Sequence, residues 1–269
     1  MSIVRINELD FHVQQAGPAP ADAAHPPVYL IHGLMLGNMV GWYFTITPHL
    51  AKHRPVVMYD LRGHGKSQLA ASGYDLDTMA SDLDGLIKAS DAGHDAVDLV
   101  GHSWGGLVAL TYALYHPHRV RRLVLIEVPL PPSNIGEMKR FMELSPKDML
   151  AALPRSAQQG FLSGGRQTFR LLRNLGKLVR NTTVLDDFKA AKDISDTYLS
   201  LLNVPVMTLY GTKSPCLETG RRLERVLPQC RHLEIEAGHN LYAEAPQQTA
   251  DLINDFLGAT VAPNPLATV

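Results

Sequence analysis

The stretch VDLVGHSWGGLVALTYAL, residues 97 to 114, decides the fold. Its first residues are apolar and β-branched, as in a strand buried on both faces. Its last ten carry Leu, Val, Ala and Tyr with the density of a buried helix. Between them stands Gly101-His102-Ser103-Trp104-Gly105, a G-x-S-x-G. A tight strand-to-helix turn needs flanking residues almost without side chains, and it leaves the central serine strained and exposed at the helix N-terminus. A bare G-x-S-x-G also fits an ordinary glycine-rich turn, but here both flanks have the pattern that the elbow needs.

Outward from this elbow, short β-rich runs alternate with helical patterns, the mark of right-handed βαβ crossovers and a mostly parallel sheet with helices on both faces. The predicted strands are 27–31, 55–60, 97–101, 122–127, 204–211 and 231–236. The predicted helices are 75–90, 105–116, 218–227 and 245–257. From about Ser133 to Asn203 no strand pattern occurs, so 133–203 is expected to be a helical lid inserted between two strands. The core is then 1–132 with 204–269. Residues 17–27 are predicted to be a Pro-rich loop, and 259–269 a frayed tail.

Composition sets the outer limits. A chain of 269 residues with 45% hydrophobic residues can bury a large core. With 25 Lys and Arg against 26 Asp and Glu, the net charge of −1 gives no general reason to expect nucleic acid or an anionic membrane as partner. No apolar run approaches a membrane span, and the first residues lack the order of a secretory signal, so a cytoplasmic protein is expected. The two cysteines, Cys216 and Cys230, are expected to be reduced thiols without a role. The 12 histidines include no H-E-x-x-H or comparable cluster, so no metal and no cofactor are expected. GHGKS (63–67) ends like a phosphate-binding loop, but Asp60 occupies the place of that motif's first glycine.

The chain resembles the α/β-hydrolase superfamily over about residues 25 to 257. Besides the elbow, YLIHGL (29–34) is similar to the family's HG oxyanion loop, YDLRGHGKS (59–67) to its Arg-Gly-x-Gly-x-Ser turn, and EAGHNLYAEAP (236–246) to the loop of its catalytic histidine. The resemblance implies Ser103 as nucleophile and His239 as base, with the backbone N–H groups of Leu34 and Trp104 as oxyanion hole. The chemistry stands apart from the family. A serine hydroxyl is a poor nucleophile until an imidazole takes its proton, and the oxyanion it forms needs preorganised donors.

The third member departs from the common pattern. The family usually carries its acid in a G-x-x-D loop after the strand that leaves the lid, but LYGTKSPC offers Ser214 there. Some branches, including many haloalkane dehalogenases, place the acid at the end of the strand after the elbow. Glu127 ends RLVLIE (122–127) and is the expected acid. Glu218 is the alternative, although it also falls where a helix's first turn favours an acidic residue. A third alternative for Glu127 is a strand end that faces solvent or pairs with Arg62.

A serine would form an inert ether with an alkyl substrate, so Ser103 points to acyl transfer, with esters, thioesters and activated C–C bonds in range. Trp104 is expected to wall an apolar acyl pocket. In the lid, Arg166, Arg170, Arg173, Lys177 and Arg180 are spaced to form one helical stripe. It is either a solvated face or a dock for an anionic acyl carrier, coenzyme A or a carrier protein. The expected activity is that of a serine esterase or thioesterase, with a biosynthetic thioesterase or acyl-transferring cyclase and a catalytically silent binding member of the fold as alternatives.

Overall fold

The computed structural model describes residues 2–19, 23, 25–34, 37–90, 94–130, 140, 144–145, 148, 151 and 166–258. The tail at 259–269, most of 133–165 and the Arg166 side chain lie outside what is described. Eight strands form one sheet in the order β1-β2-β4-β3-β5-β6-β7-β8. They are β1 (Ser2–Ile6), β2 (Leu9–Ala16), β3 (Val28–Ile31), β4 (Val56–Tyr59), β5 (Val97–His102), β6 (Val120–Ile126), β7 (Val206–Gly211) and β8 (Cys230–Ile235). From β4 to β8 every pairing is parallel, while β1 and β2 form an antiparallel hairpin added to β4.

Alternation along the strands divides the core into two layers. Tyr29, Ile31, Leu99, Leu123 and Leu125 face one apolar cluster. Val28, Leu30, Val100, Val124 and Ile126 face the other. On the first face lie α3 (Leu76–Ala89) and α4 (Trp104–Tyr115). On the second lie α1 (Val40–Thr45), α2 (Thr47–Leu50) and α10 (Pro246–Gly258). Helix α3 starts where Asp75 accepts the Thr78 N–H at 2.8 Å, a side-chain cap worth about 1 kcal/mol. It buries Met79, Ala80, Leu83, Leu86 and Ile87, the 3–4 spacing of an amphipathic helix.

Among the described residues, the interval between β6 and β7 is helical, with α5 (Arg166–Asn181), α6 (Val184–Ala190) and α7 (Asp196–Leu199). Leu172, Leu175 and Leu178 of α5 pack with Tyr74 and Val184. Arg170, Arg173, Lys177 and Arg180 of the same helix are exposed. After β7 follow α8 (Leu217–Val226), β8 and α9 (Leu241–Glu244). The chain turns from β3 to β4 on one side and returns to β5 on the other, so the sheet has a topological switch point between β3 and β5, at whose carboxyl ends α/β sheets carry their sites.

Candidate active site

Ser103 joins β5 to α4 with φ 52° and ψ −123°. This is a conformation that costs a non-glycine residue of order 1–3 kcal/mol and persists only when its surroundings enforce it. Its N–H donates to Ile126 O of the adjacent β6 at 2.8 Å. The glycines explain why the turn closes. A Cβ on Gly101 would come within 2.5 Å of Gly106 Cα, and one on Gly105 within 2.3 Å of His32 O. Ser103 thus sits at the positive end of α4, whose first turn carries no acidic residue to compete for that field.

Glu127 also has positive φ, 55°, immediately past β6. It is 0% exposed, and an isolated buried carboxylate would cost several kcal/mol. Its partners are all present. Oε1 accepts the Gly211 N–H at 2.5 Å. Oε2 accepts the Ser214 hydroxyl and lies 3.1 Å from His239 Nδ1. Arg62 is not among these partners: it binds Asp82, with Nε 2.7 Å from Oδ2. Glu218 lies in the first turn of α8, mostly exposed, and pairs with Arg221 at 2.7 Å.

The loop carrying His239 is braced on both sides, since Glu244 accepts the N–H groups of Gly238 at 2.8 Å and Asn240 at 3.2 Å. Its carbonyl accepts from His102 Nε2 at 2.9 Å. Burial, and then the nearby His239 ring, push His102 down to about 3, so it is neutral and serves as a fixed donor. For His239 burial opposes the positive charge, but the hydrogen bonds to Cys216 and to Glu127 outweigh it and raise the ring to about 9. Cys216 Sγ lies 3.9 Å from His239 Nδ1. A thiol expected to be without a role therefore contacts the histidine; cysteine counting gave no hint, because the contact links residues distant in sequence.

The HG loop is held by the turn after β4. His32 Nδ1–H donates to Gly33 O at 2.8 Å, while its Nε2 accepts the Leu61 N–H at 3.0 Å. Asp60 accepts the N–H groups of Met39 at 2.9 Å and Lys66 at 3.0 Å. Among the described residues, neither the Leu34 nor the Trp104 backbone N–H is taken by a carbonyl. The Trp104 side chain differs from the expected pocket wall. It is 2% exposed and stacks on Phe188 with ring centroids 4.8 Å apart, which makes it a core residue. A cavity of about 300 Å³ lined by Asp75, Thr111, Tyr115, Asp187 and Tyr198 among others does not include Ser103 or His239.

The sequence pattern of the alpha/beta hydrolase fold matches residues 26–246. The chain belongs to that family. It is 28% identical over 254 residues to a 2-hydroxy-6-oxo-2,4-heptadienoate hydrolase from Pseudomonas putida, covering 87% of this chain and 89% of that protein. It is 27% identical over 265 residues to an sn-1-specific diacylglycerol lipase from Mus musculus, covering 88% and 82%. The enol-lactonase structure from Burkholderia xenovorans superposes with a TM-score of 0.77 at 19% identity, over 96% of this chain and all of that one. These relatives are hydrolases by name, and the structural likeness is one of fold. No helix of the described residues is long and apolar enough to cross a membrane.

Proposed function

We propose that this chain is a serine hydrolase that cleaves a carboxylic ester or thioester through an acyl-enzyme. The observation that carries it is the junction of β5 and β6. Ser103 is strained at a helix N-terminus with its N–H on Ile126, and the next residue, Glu127, lies against His239 Nδ1. Nδ1 is engaged, so Nε2 takes the proton as Ser103 Oγ attacks the acyl carbon. Glu127 keeps the imidazole in the tautomer that makes this possible and stabilises the imidazolium that results. The N–H groups of Leu34 and Trp104 stabilise the oxyanion, each worth roughly 3 kcal/mol. His239 then protonates the leaving alcohol or thiol, and a water deprotonated by His239 releases the carboxylic acid and frees Ser103. In this proposal the helical interval between β6 and β7 serves as the lid, a reading supported by Phe188 of α6, which stacks on Trp104 beside the elbow.

The names of a heptadienoate hydrolase and a diacylglycerol lipase among the relatives support hydrolysis of an acyl compound. A carrier-linked thioester is the second reading, favoured by the exposure of Arg170, Arg173, Lys177 and Arg180 along α5. Such a row supplies a positive field for an anionic carrier, coenzyme A or a carrier protein. The test is fluorophosphonate labelling followed by a panel of p-nitrophenyl esters, acyl-coenzyme A and carrier-bound thioesters. One label at Ser103 with turnover of any of these supports the proposal. A folded protein that takes no label and turns over none is a silent binding member of the fold.

A further inference from the structure

Three donor types meet at one point beside Ser103's neighbour in the sheet. A carboxylate oxygen of Glu127, Cys216 Sγ and a ring nitrogen of His239 all lie within 4.8 Å of one another. Nδ1 is 3.1 Å from the carboxylate oxygen and 3.9 Å from the sulfur. They come from the end of β6, the residue before α8 and the loop after β8, so no local spacing in the sequence announces them. A tetrahedral ion bonded at about 2.0 Å to nitrogen and oxygen and about 2.3 Å to sulfur spaces its ligands roughly 3.3–3.6 Å apart. The two measured edges bracket that range. Thiolate with imidazole selects zinc-like ions, whereas magnesium and calcium prefer oxygen donors.

We propose that Glu127, Cys216 and His239 form a site for one thiophilic divalent cation of the zinc class, and that its occupation stops hydrolysis. On binding, the ion replaces the Nδ1 proton of His239 and the thiol proton of Cys216, which pass to solvent. The fourth ligand is a water molecule, and of the three side chains that of His239 is the most exposed, at 29%. The bound ion takes the Glu127 charge that would have stabilised the imidazolium, and a dication against the ring opposes its protonation during attack on the substrate. The inhibition rests on the catalytic roles proposed for Glu127 and His239; the binding does not.

Cobalt(II) titration reads the site directly, because a thiolate–cobalt bond gives a charge-transfer band in the near ultraviolet that is independent of activity. The expected result is one equivalent of cobalt with that band, displaced by zinc, with ester hydrolysis falling over the same titration and returning on chelation. Cys216→Ser should abolish the band and weaken binding at least about tenfold, and His239→Gln should do the same with circular dichroism confirming the fold. Cys230→Ser should leave the band in place. Cobalt bound without the band, or a band unchanged in folded Cys216→Ser or His239→Gln, would overturn the site. A band at one equivalent with hydrolysis undiminished would uphold the site and overturn both its inhibitory effect and the catalytic roles of Glu127 and His239.

Discussion

Ser214 donates its hydroxyl to Glu127 Oε2, the same oxygen that lies 3.1 Å from His239 Nδ1. The residue standing where the family commonly has its acid thus supports the carboxylate offered from another strand. Two positions that compete for one role in the sequence are neighbours around one charge in the structure.

Replacing Glu127 by Gln keeps the size and removes the charge, so kcat should fall by roughly 10² to 10⁴ with a smaller change in KM. Glu218→Gln, on the exposed start of α8, should do little. Ser214→Ala removes a hydrogen bond to a buried charged group and should cost about 1.5–3 kcal/mol of stability. Adding Ser214→Asp to Glu127→Gln should restore part of the rate, because the new carboxylate starts next to the vacated one. Steady-state kinetics on these four variants decide the acid: near wild-type turnover of Glu127→Gln with loss in Glu218→Gln would reverse the assignment.

Ser103 holds φ 52° without being glycine. Replacing it by Gly should remove both the proposed nucleophile and the strain. Fluorophosphonate labelling and hydrolysis should vanish, while the melting temperature rises by roughly 2–4 °C for about 1 kcal/mol relieved. Ser103→Ala should lose the label as well but without that gain in stability. A glycine variant that melts lower than wild type would show that the elbow stores no such strain.

How far the sequence reached depends on the range of the interaction concerned. Five of the six strands from 27 to 236 were legible as largely apolar runs, the signature of strands buried on both faces, whereas β8 (CRHLEI) is largely half-exposed and shows only the alternation of Leu233 and Ile235. The hairpin of β1 and β2 was not legible, since SIVRI is largely exposed and its positive-φ turn at Asn7 and Glu8 lacks the usual Asn-Gly or Gly-Gly. Ser103, Glu127 and His239 could be nominated because each ends or follows a strand within a recognisable motif. The contact of Cys216 with His239, the support of Glu127 by Ser214 and the pinning of His239 by His102 were invisible. They arise where the ends of β5, β6, β7 and β8 run side by side, and no local pattern encodes that adjacency. Trp104 was misread because it borders the elbow, whereas its ring turns back into the layer that holds Phe188.

The exposed cations of α5 separate the two substrate readings. Reversing Arg170 and Arg173 to Glu should raise KM for a carrier-linked thioester, more at low salt than at high, and leave small neutral esters unchanged. Identical kinetics on both substrate classes would make the stripe a solvated face.

The last expectation concerns pH. In the proposed mechanism His239 must be neutral to accept the serine proton, yet its contacts with Cys216 and Glu127 raise it to about 9. Hydrolysis measured as kcat/KM should therefore climb with pH and reach half its plateau on the alkaline side, near pH 9. Cys216→Ala removes the leading source of that rise, so the midpoint should move toward acid. The same shift has a stability consequence of definite sign. A ring whose folded value lies above its unfolded value of 6.5 contributes stability that is complete below about pH 6.5 and is lost as pH rises through about 9. Wild type should thus lose more stability than Cys216→Ala between pH 6.5 and 9, in denaturant melts at matched ionic strength. A rate midpoint near 6.5 in wild type, unmoved by Cys216→Ala, would mean that neither neighbour holds a charge on His239 in the free enzyme.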